Sequence, residues 1–230
     1  MGNAGIAHSG YFYKMMLEKL ETALVCYTQA SFENLEPENP ATEEDEATRQ
    51  AHLVPEKARL LVAALKLAGV DSDIVKVPLR SFQPRDIAKA AFGWRLLDLK
   101  ESNGRSIDLV ICLDFPAWSL SHPHKISWLI NLPNFVTRRS SANPPRSKDT
   151  NGGANLDLHG NVSSLLQSER RGLAESWRIM AGNRSVAEEL ARSGLQVNYN
   201  PFPIEETDPA SSEWQTVIKR LVTSVLRQGT

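Results

Sequence analysis

The stretch Asp108–Phe135, DLVICLDFPAWSLSHPHKISWLINLPNF, decides how the rest of the chain is read. Its two apolar runs, Leu109 to Leu113 and Ile126 to Ile130, are rich in Ile, Val and Leu and too short for helices, so they predict buried strands. Both runs are continuously apolar, which is the pattern of strands covered on both faces. Between them lies a short polar connection carrying His122 and His124. This pair is either a metal or catalytic site, or the shaping of a turn.

Outward from this stretch the same alternation recurs. Towards the N-terminus, TALVCYTQ (22–29) reads as the first strand, VPEKARLLVAALKLAG (54–69) as a helix stopped by Gly69, and SDIVKVP (72–78) as a second strand. PRDIAKAAFGWRLLDLKESNG (84–104) predicts another helix, with Pro84 near its start and Gly104 beyond its end, leading into IDLVICL (107–113). Towards the C-terminus, HKISWLI (124–130), WRIMA (177–181) and LQVNYN (195–200) read as further strands, with the helix NRSVAEELARSG (183–194) between the last two. Strands alternating with helices predict an α/β fold: a single Rossmann-like three-layer domain with a mainly parallel sheet of about six strands.

Three segments depart from this rhythm. The acidic FENLEPENPATEEDEATRQ (32–50) reads as a solvated loop leading into a helix rather than as a cation site. Residues 136–161 are rich in Ser, Asn, Pro and Gly and are expected to form a flexible loop. The tail turns through prolines into an amphipathic helix with Trp214, Val217, Ile218, Leu221 and Val225 on one side, a stripe that must be buried. The expected organisation is a leader over 1–21, the Rossmann-like domain over 22–203, and a linker with a closing C-terminal helix over 204–230.

Composition restricts the function classes. With 26 basic against 27 acidic residues, nothing in the overall charge favours a general electrostatic grip on nucleic acid or an anionic membrane, so a small molecule or a protein is the expected partner. The two cysteines, Cys26 and Cys112, lie in strand-like runs and suit buried thiols rather than a disulfide framework. No apolar run approaches the length of a membrane span, and the first residues lack the order of a signal peptide, so a cytoplasmic location is expected. No cofactor is predicted.

The segments VPLRSFQPRDIAKAAFGWRLLDL, DLVICLDFPAWSLSHPHKISWLINLPN and RIMAGNRSVAEELARSGLQVNYNPFP together resemble the N-terminal half of bacterial family-four glycosyltransferases. The resemblance runs from about Leu60 to Pro203, and its most specific part is the spaced set Phe115, Pro116, His122, Pro123, Lys125, Trp128 and Leu129. It implies a GT-B enzyme, in which an N-terminal Rossmann-like domain faces the acceptor and a second one holds a nucleotide-sugar for retaining transfer. Only the acceptor-side half is represented, followed by a segment resembling the helix that returns from the second domain. On this reading the chain needs a separate donor-domain protein for activity. The alternative is a glycosyltransferase-like binding or interaction module without turnover.

Three departures from the family pattern bear on catalysis. YTQASFENLEPENP, after the first strand, has no glycine where family members often carry a Gly-Gly turn. Asn131 and Asn134 stand in the stretch where the family places a histidine, and an amide cannot act as a general base near neutral pH. Glu205 and Glu213 have the spacing of the family's donor-binding glutamates but not its apolar, glycine-rich context.

For His122 and His124, with Pro123 between them, a shared metal would need ligands from elsewhere, so no metal site is predicted and the shaping of a turn is the favoured role. Substrate-binding candidates are instead placed where strands of an open parallel sheet end. Arg184 and Asn183 open a helix directly after a strand and are read either as ligand-binding groups or as a cap beside a surface arginine. Asp114, Phe115 and Asn131 are expected at the same edge.

Overall fold

The structure is a computed structural model that describes residues 20–30, 43–133 and 155–226, with side chains described except at 30, 43–52 and 155–161. Six strands form one sheet: β1 (Thr22–Ala30), β2 (Asp71–Leu79), β5 (Leu109–Cys112), β6 (Lys125–Leu129), β7 (Arg178–Ala181) and β8 (Asn198–Tyr199). Their order is β2-β1-β5-β6-β7-β8, and every pairing is parallel. The chain leaves β1 in one direction to form β2 and returns to the other side to form β5. The topological switch point therefore lies between β1 and β5.

Among the described residues five helices cover the sheet: α1 (Glu43–Leu67), α2 (Pro84–Leu96), α3 (Asn155–Ala174), α4 (Arg184–Arg192) and α5 (Ser212–Leu226). On one face, Ala58, Leu61 and Leu65 of α1 and Trp214, Ile218 and Leu221 of α5 pack with Val25, Ile111, Ile126 and Trp128 of the sheet. On the other, Trp94 of α2, Leu173 of α3 and Val186 and Leu190 of α4 pack with Cys26, Val110, Cys112 and Ala181. Adjacent strand residues enter opposite cores, which is why the strands read as uninterrupted apolar runs. The three-layer α/β fold, the parallel sheet and the closing helix expected from the sequence are all present.

The structure corrects several local readings. Part of the acidic run is helical, because α1 begins at Glu43 and runs through Pro55 instead of starting there. The helix expected to start near Pro84 and stop before Gly104 already ends at Leu96. Beyond it, β3 (Glu101–Ser102) and β4 (Arg105–Ser106) form a small antiparallel hairpin. Its turn residues Asn103 and Gly104 have φ of 52° and 74°, the left-handed conformation for which Asn-Gly is suited. Residues 155–161, placed in the flexible loop by composition, belong to α3. The rest of that loop and residues 1–19 of the leader lie outside the described residues.

The link from β5 to β6 is the irregular element that shapes the molecule. It crosses the sheet with a single 3-10 turn, Ala117–Ser119, in place of a helix. Helix α3 can lie against that turn because residue 172 is glycine: a Cβ there would meet the Trp118 carbonyl oxygen at 3.0 Å.

Candidate functional site

The two edges of the sheet are built differently, and the histidine pair belongs to the N-terminal one. His122 and His124 immediately precede β6, so they lie where the strands begin. The His124 N–H donates to His122 Nδ1 at 3.1 Å, which makes Nδ1 an acceptor and leaves Nε2 to donate to the Ile107 carbonyl at 3.2 Å. Burial pushes the His122 pKa below its ordinary value and His124 adds to this, which agrees with a neutral ring. With both nitrogens engaged, His122 has no lone pair left for a metal ion. His124 Nδ1 donates to the Asp108 carbonyl at 2.9 Å, and the Asp108 carboxylate accepts from the N–H groups of Glu21 and Thr22. This network ties together the starts of β1, β5 and β6.

Lys125 completes the scaffold. Its ammonium is fully buried and donates to the carbonyls of Trp118, Leu120 and Gly172 at 2.6, 2.9 and 2.8 Å. Three carbonyl oxygens replace its water and fix the 3-10 turn to α3, although burial still lowers its pKa. HPHK thus shapes a turn. Among the described residues there is no group of three or more His, Cys, Asp or Glu side chains able to hold a metal ion.

At the opposite edge, where the strands end, Asp114 and Phe115 follow β5, Asn131 follows β6, and Asn183 and Arg184 follow β7. Asp114 follows β5 at the switch point, and its carboxylate accepts from the Thr28 N–H at 2.9 and 3.0 Å. Thr28 Oγ1 in turn accepts from Trp94 Nε1 at 3.0 Å. Burial raises the Asp114 pKa to about 7 against the opposing pull of these hydrogen bonds and of the Ala117 N–H. The carboxyl group therefore titrates near neutrality while holding the end of β1 to the loop after β5. Phe115, joined to Pro116 by a cis peptide bond, packs its ring 5.7 Å from that of Trp118.

Asn183 caps α4: its Oδ1 accepts from the Val186 N–H at 2.9 Å, and its Nδ2 donates to the Ile130 carbonyl at 2.7 Å. Both ends of this amide serve the fold, as the capping interpretation requires. Arg184 is different, with its side chain 88% exposed and only a 3.5 Å pair to Glu188 one turn along. Asn131 is also exposed, and its side-chain amide has no hydrogen-bond partner among the described residues. Asn131 and Arg184 are thus the candidates with polar groups open to a ligand, beside the N-terminus of α4 and its free N–H groups.

No family model, no curated protein and no solved structure matches this chain. The chemistry of the site therefore rests on its own geometry. A neutral amide, a guanidinium and helix N–H groups suit recognition of hydroxyl and anionic oxygens. Asp114 can hold or release a proton near neutrality, but it is engaged with backbone N–H groups.

Asn200 is one residue of this edge that sequence reasoning missed. It follows β8, is 4% exposed, and has both side-chain polar atoms unpaired, while its carbonyl accepts from Trp128 Nε1 at 3.0 Å. Nothing in NYNPF distinguishes this asparagine from a solvated loop residue. Cys26 and Cys112 are paired across β1 and β5 as unbridged, fully buried residues, and burial with the neighbouring thiol raises the Cys26 pKa. Glu205 and Glu213 are exposed, with Glu213 in the first turn of α5. No helix among the described residues is long and apolar enough to cross a membrane.

Proposed function

We propose that this chain is the acceptor-side domain of a nucleotide-sugar-dependent retaining glycosyltransferase, and that turnover requires a donor-binding unit supplied by a separate protein. The observation that carries this reading is that Asp114, Phe115, Asn131, Asn183 and Arg184 all follow the C-terminal ends of strands in one parallel sheet. That edge is where ligands of open α/β sheets bind. Exposed amide and guanidinium groups beside helix N–H donors suit the hydroxyls of a sugar or glycan acceptor. Retaining transfer further needs a donor diphosphate anchored opposite the acceptor, because positioning and stabilisation of the departing charge provide the rate. The acceptor edge supplies only one side of that arrangement.

A second reading, a glycosyltransferase-like binding module without turnover, is favoured by one specific observation. The Asp114 carboxylate and the Asn183 amide are already bound to backbone groups, so two of the five candidates act as structural pins.

Calorimetric titration of nucleotide-sugars and glycans, paired with hydrolysis and transfer assays on the 230-residue chain, tests both readings. The expected result is glycan binding without tight donor binding and without transfer, with transfer appearing when a donor-domain protein is added. Glycan binding with no transfer under either condition would select the binding module. Micromolar donor binding with turnover by the chain alone would overturn both.

A further inference from the structure

The short crossover after β5 has a second consequence, between α2 and α3. Because the 3-10 turn Ala117–Ser119 stands in place of a helix, α2 and α3 flank a gap instead of packing on a helix between them. The gap is an open groove of about 370 Å³, floored by Ser119, Ala91 and Gly172. Along one part of it, Phe92 is 65% exposed beside Ala88 and Leu165, which gives the groove an apolar stretch.

The other part of the groove is charged. Arg95 Nη2 donates to Glu175 Oε1 at 3.2 Å, its Nη1 reaches the second oxygen of the same carboxylate, and Arg171 Nε donates to Oε1 at 3.0 Å. Two guanidiniums thus share one carboxylate, so the lining carries two positive charges against one negative. The Nη groups of Arg171 have no partner among the described residues, and its side chain is 75% exposed. On the floor, the Ser119 hydroxyl is buried and unpaired while the Ser119 carbonyl accepts from Arg95 at 3.4 Å. Ser168 adds another hydroxyl to the wall.

We propose that this groove binds a small phosphomonoester with an apolar body, its phosphate on the open Nη groups of Arg171 and its body against Phe92 and Leu165. The excess guanidinium charge selects an anion, and the open Nη groups of Arg171 with the Ser119 and Ser168 hydroxyls serve the several oxygens of a phosphate better than the two of a carboxylate, while Arg95, held by Glu175, adds charge. The exposed ring and leucine give the apolar part a surface to cover. This site is separate from the strand-end edge and does not depend on the reading given to that edge.

Phenyl phosphate is a suitable probe, titrated by calorimetry and by amide chemical shifts on the full chain, with inorganic phosphate, phenol and phenylacetate as controls. Phenyl phosphate should bind saturably, shift amides in residues 88–95 and 164–175, and exceed all three controls in affinity. Arg171→Gln should weaken it about tenfold or more, as expected for loss of a charge-assisted hydrogen bond. Phe92→Ala should reduce its advantage over inorganic phosphate, whereas Arg184→Ala should change neither. Arg171 and Phe92 are exposed, so both variants should keep the wild-type melting temperature. Absence of saturable binding, equal affinity for phenylacetate, or binding unaffected by Arg171→Gln would each overturn the proposal.

Discussion

The two edges of the sheet draw on similar residue types for different ends. At the N-terminal edge, His122, His124, Asp108 and Lys125 direct polar atoms at backbone groups, and His122 and Lys125 are buried. At the C-terminal edge, Asp114 and Asn183 are similarly engaged, but Asn131 and Arg184 face solvent. A chemically suggestive motif is therefore no guide to function until its edge is known. HPHK contains the residues most easily taken for a metal or catalytic site, yet it sits where the strands begin and its hydrogen bonds turn inward.

The severest way to break this contrast is to remove the framework that supports both edges. Truncation after Ser211 deletes α5, whose Trp214, Val217, Ile218, Leu221 and Val225 are buried. Burial of each such side chain is worth roughly 1.5–3 kcal/mol, together comparable to the whole stability of an ordinary domain, about 5–15 kcal/mol. The truncated chain should lose its cooperative thermal transition. An unchanged melting temperature would show that α5 is an appendage.

Next in size is Lys125→Met, which keeps the length of the side chain and removes its three donated hydrogen bonds. A methionine avoids the desolvation of a buried charge but leaves three carbonyls without their donor, and this loss should dominate. Destabilisation of about 3 kcal/mol is expected in denaturant unfolding. A neutral or stabilised variant would mean that the ammonium is a tolerated burden rather than a clasp for the 3-10 turn.

Asp114 sharpens the comparison through pH. Its folded pKa of about 7 lies above the value of about 4 for an unfolded chain, so the folded state binds more protons between these limits. This contribution to stability is fully present below pH about 4 and is lost as pH rises through about 7. Asp114→Asn keeps an acceptor for Thr28 but cannot ionise. Melting curves across this range should therefore fall less steeply for the variant than for the wild type. Parallel curves would remove Asp114 as the titrating group.

The smallest effect is expected at the exposed end of the contrast. Arg184→Ala loses a surface pair with Glu188 and should change stability by no more than about 0.5 kcal/mol. A larger loss in chemical denaturation would make Arg184 part of the framework.

How far the sequence revealed these edges depended on the kind of signal. Continuous apolar strands and the stripe of α5 exposed the fold, because double-sided burial and amphipathicity are written locally. Strand ends then located Asp114, Asn131 and Arg184 without any knowledge of their contacts. The α1 start was hidden by an acidic run that reads as solvated and by Pro55, which resembles a helix start when it stands inside one. The hairpin at Asn103–Gly104 is masked because its glycine reads equally well as a helix ending. The unpaired amide of Asn200 and the groove between α2 and α3 had no local signal, since each arises from packing between elements distant in sequence.

The contrast between edges is tested most directly by amide chemical-shift mapping of the full chain titrated with a panel of sugars and glycans. If the C-terminal edge holds the ligand, the perturbed amides should cluster at 113–117, 130–131 and 182–185, leaving 107–108 and 122–125 unmoved. A cluster centred on His122 and His124, with the strand ends silent, would contradict the assignment of HPHK to the scaffold.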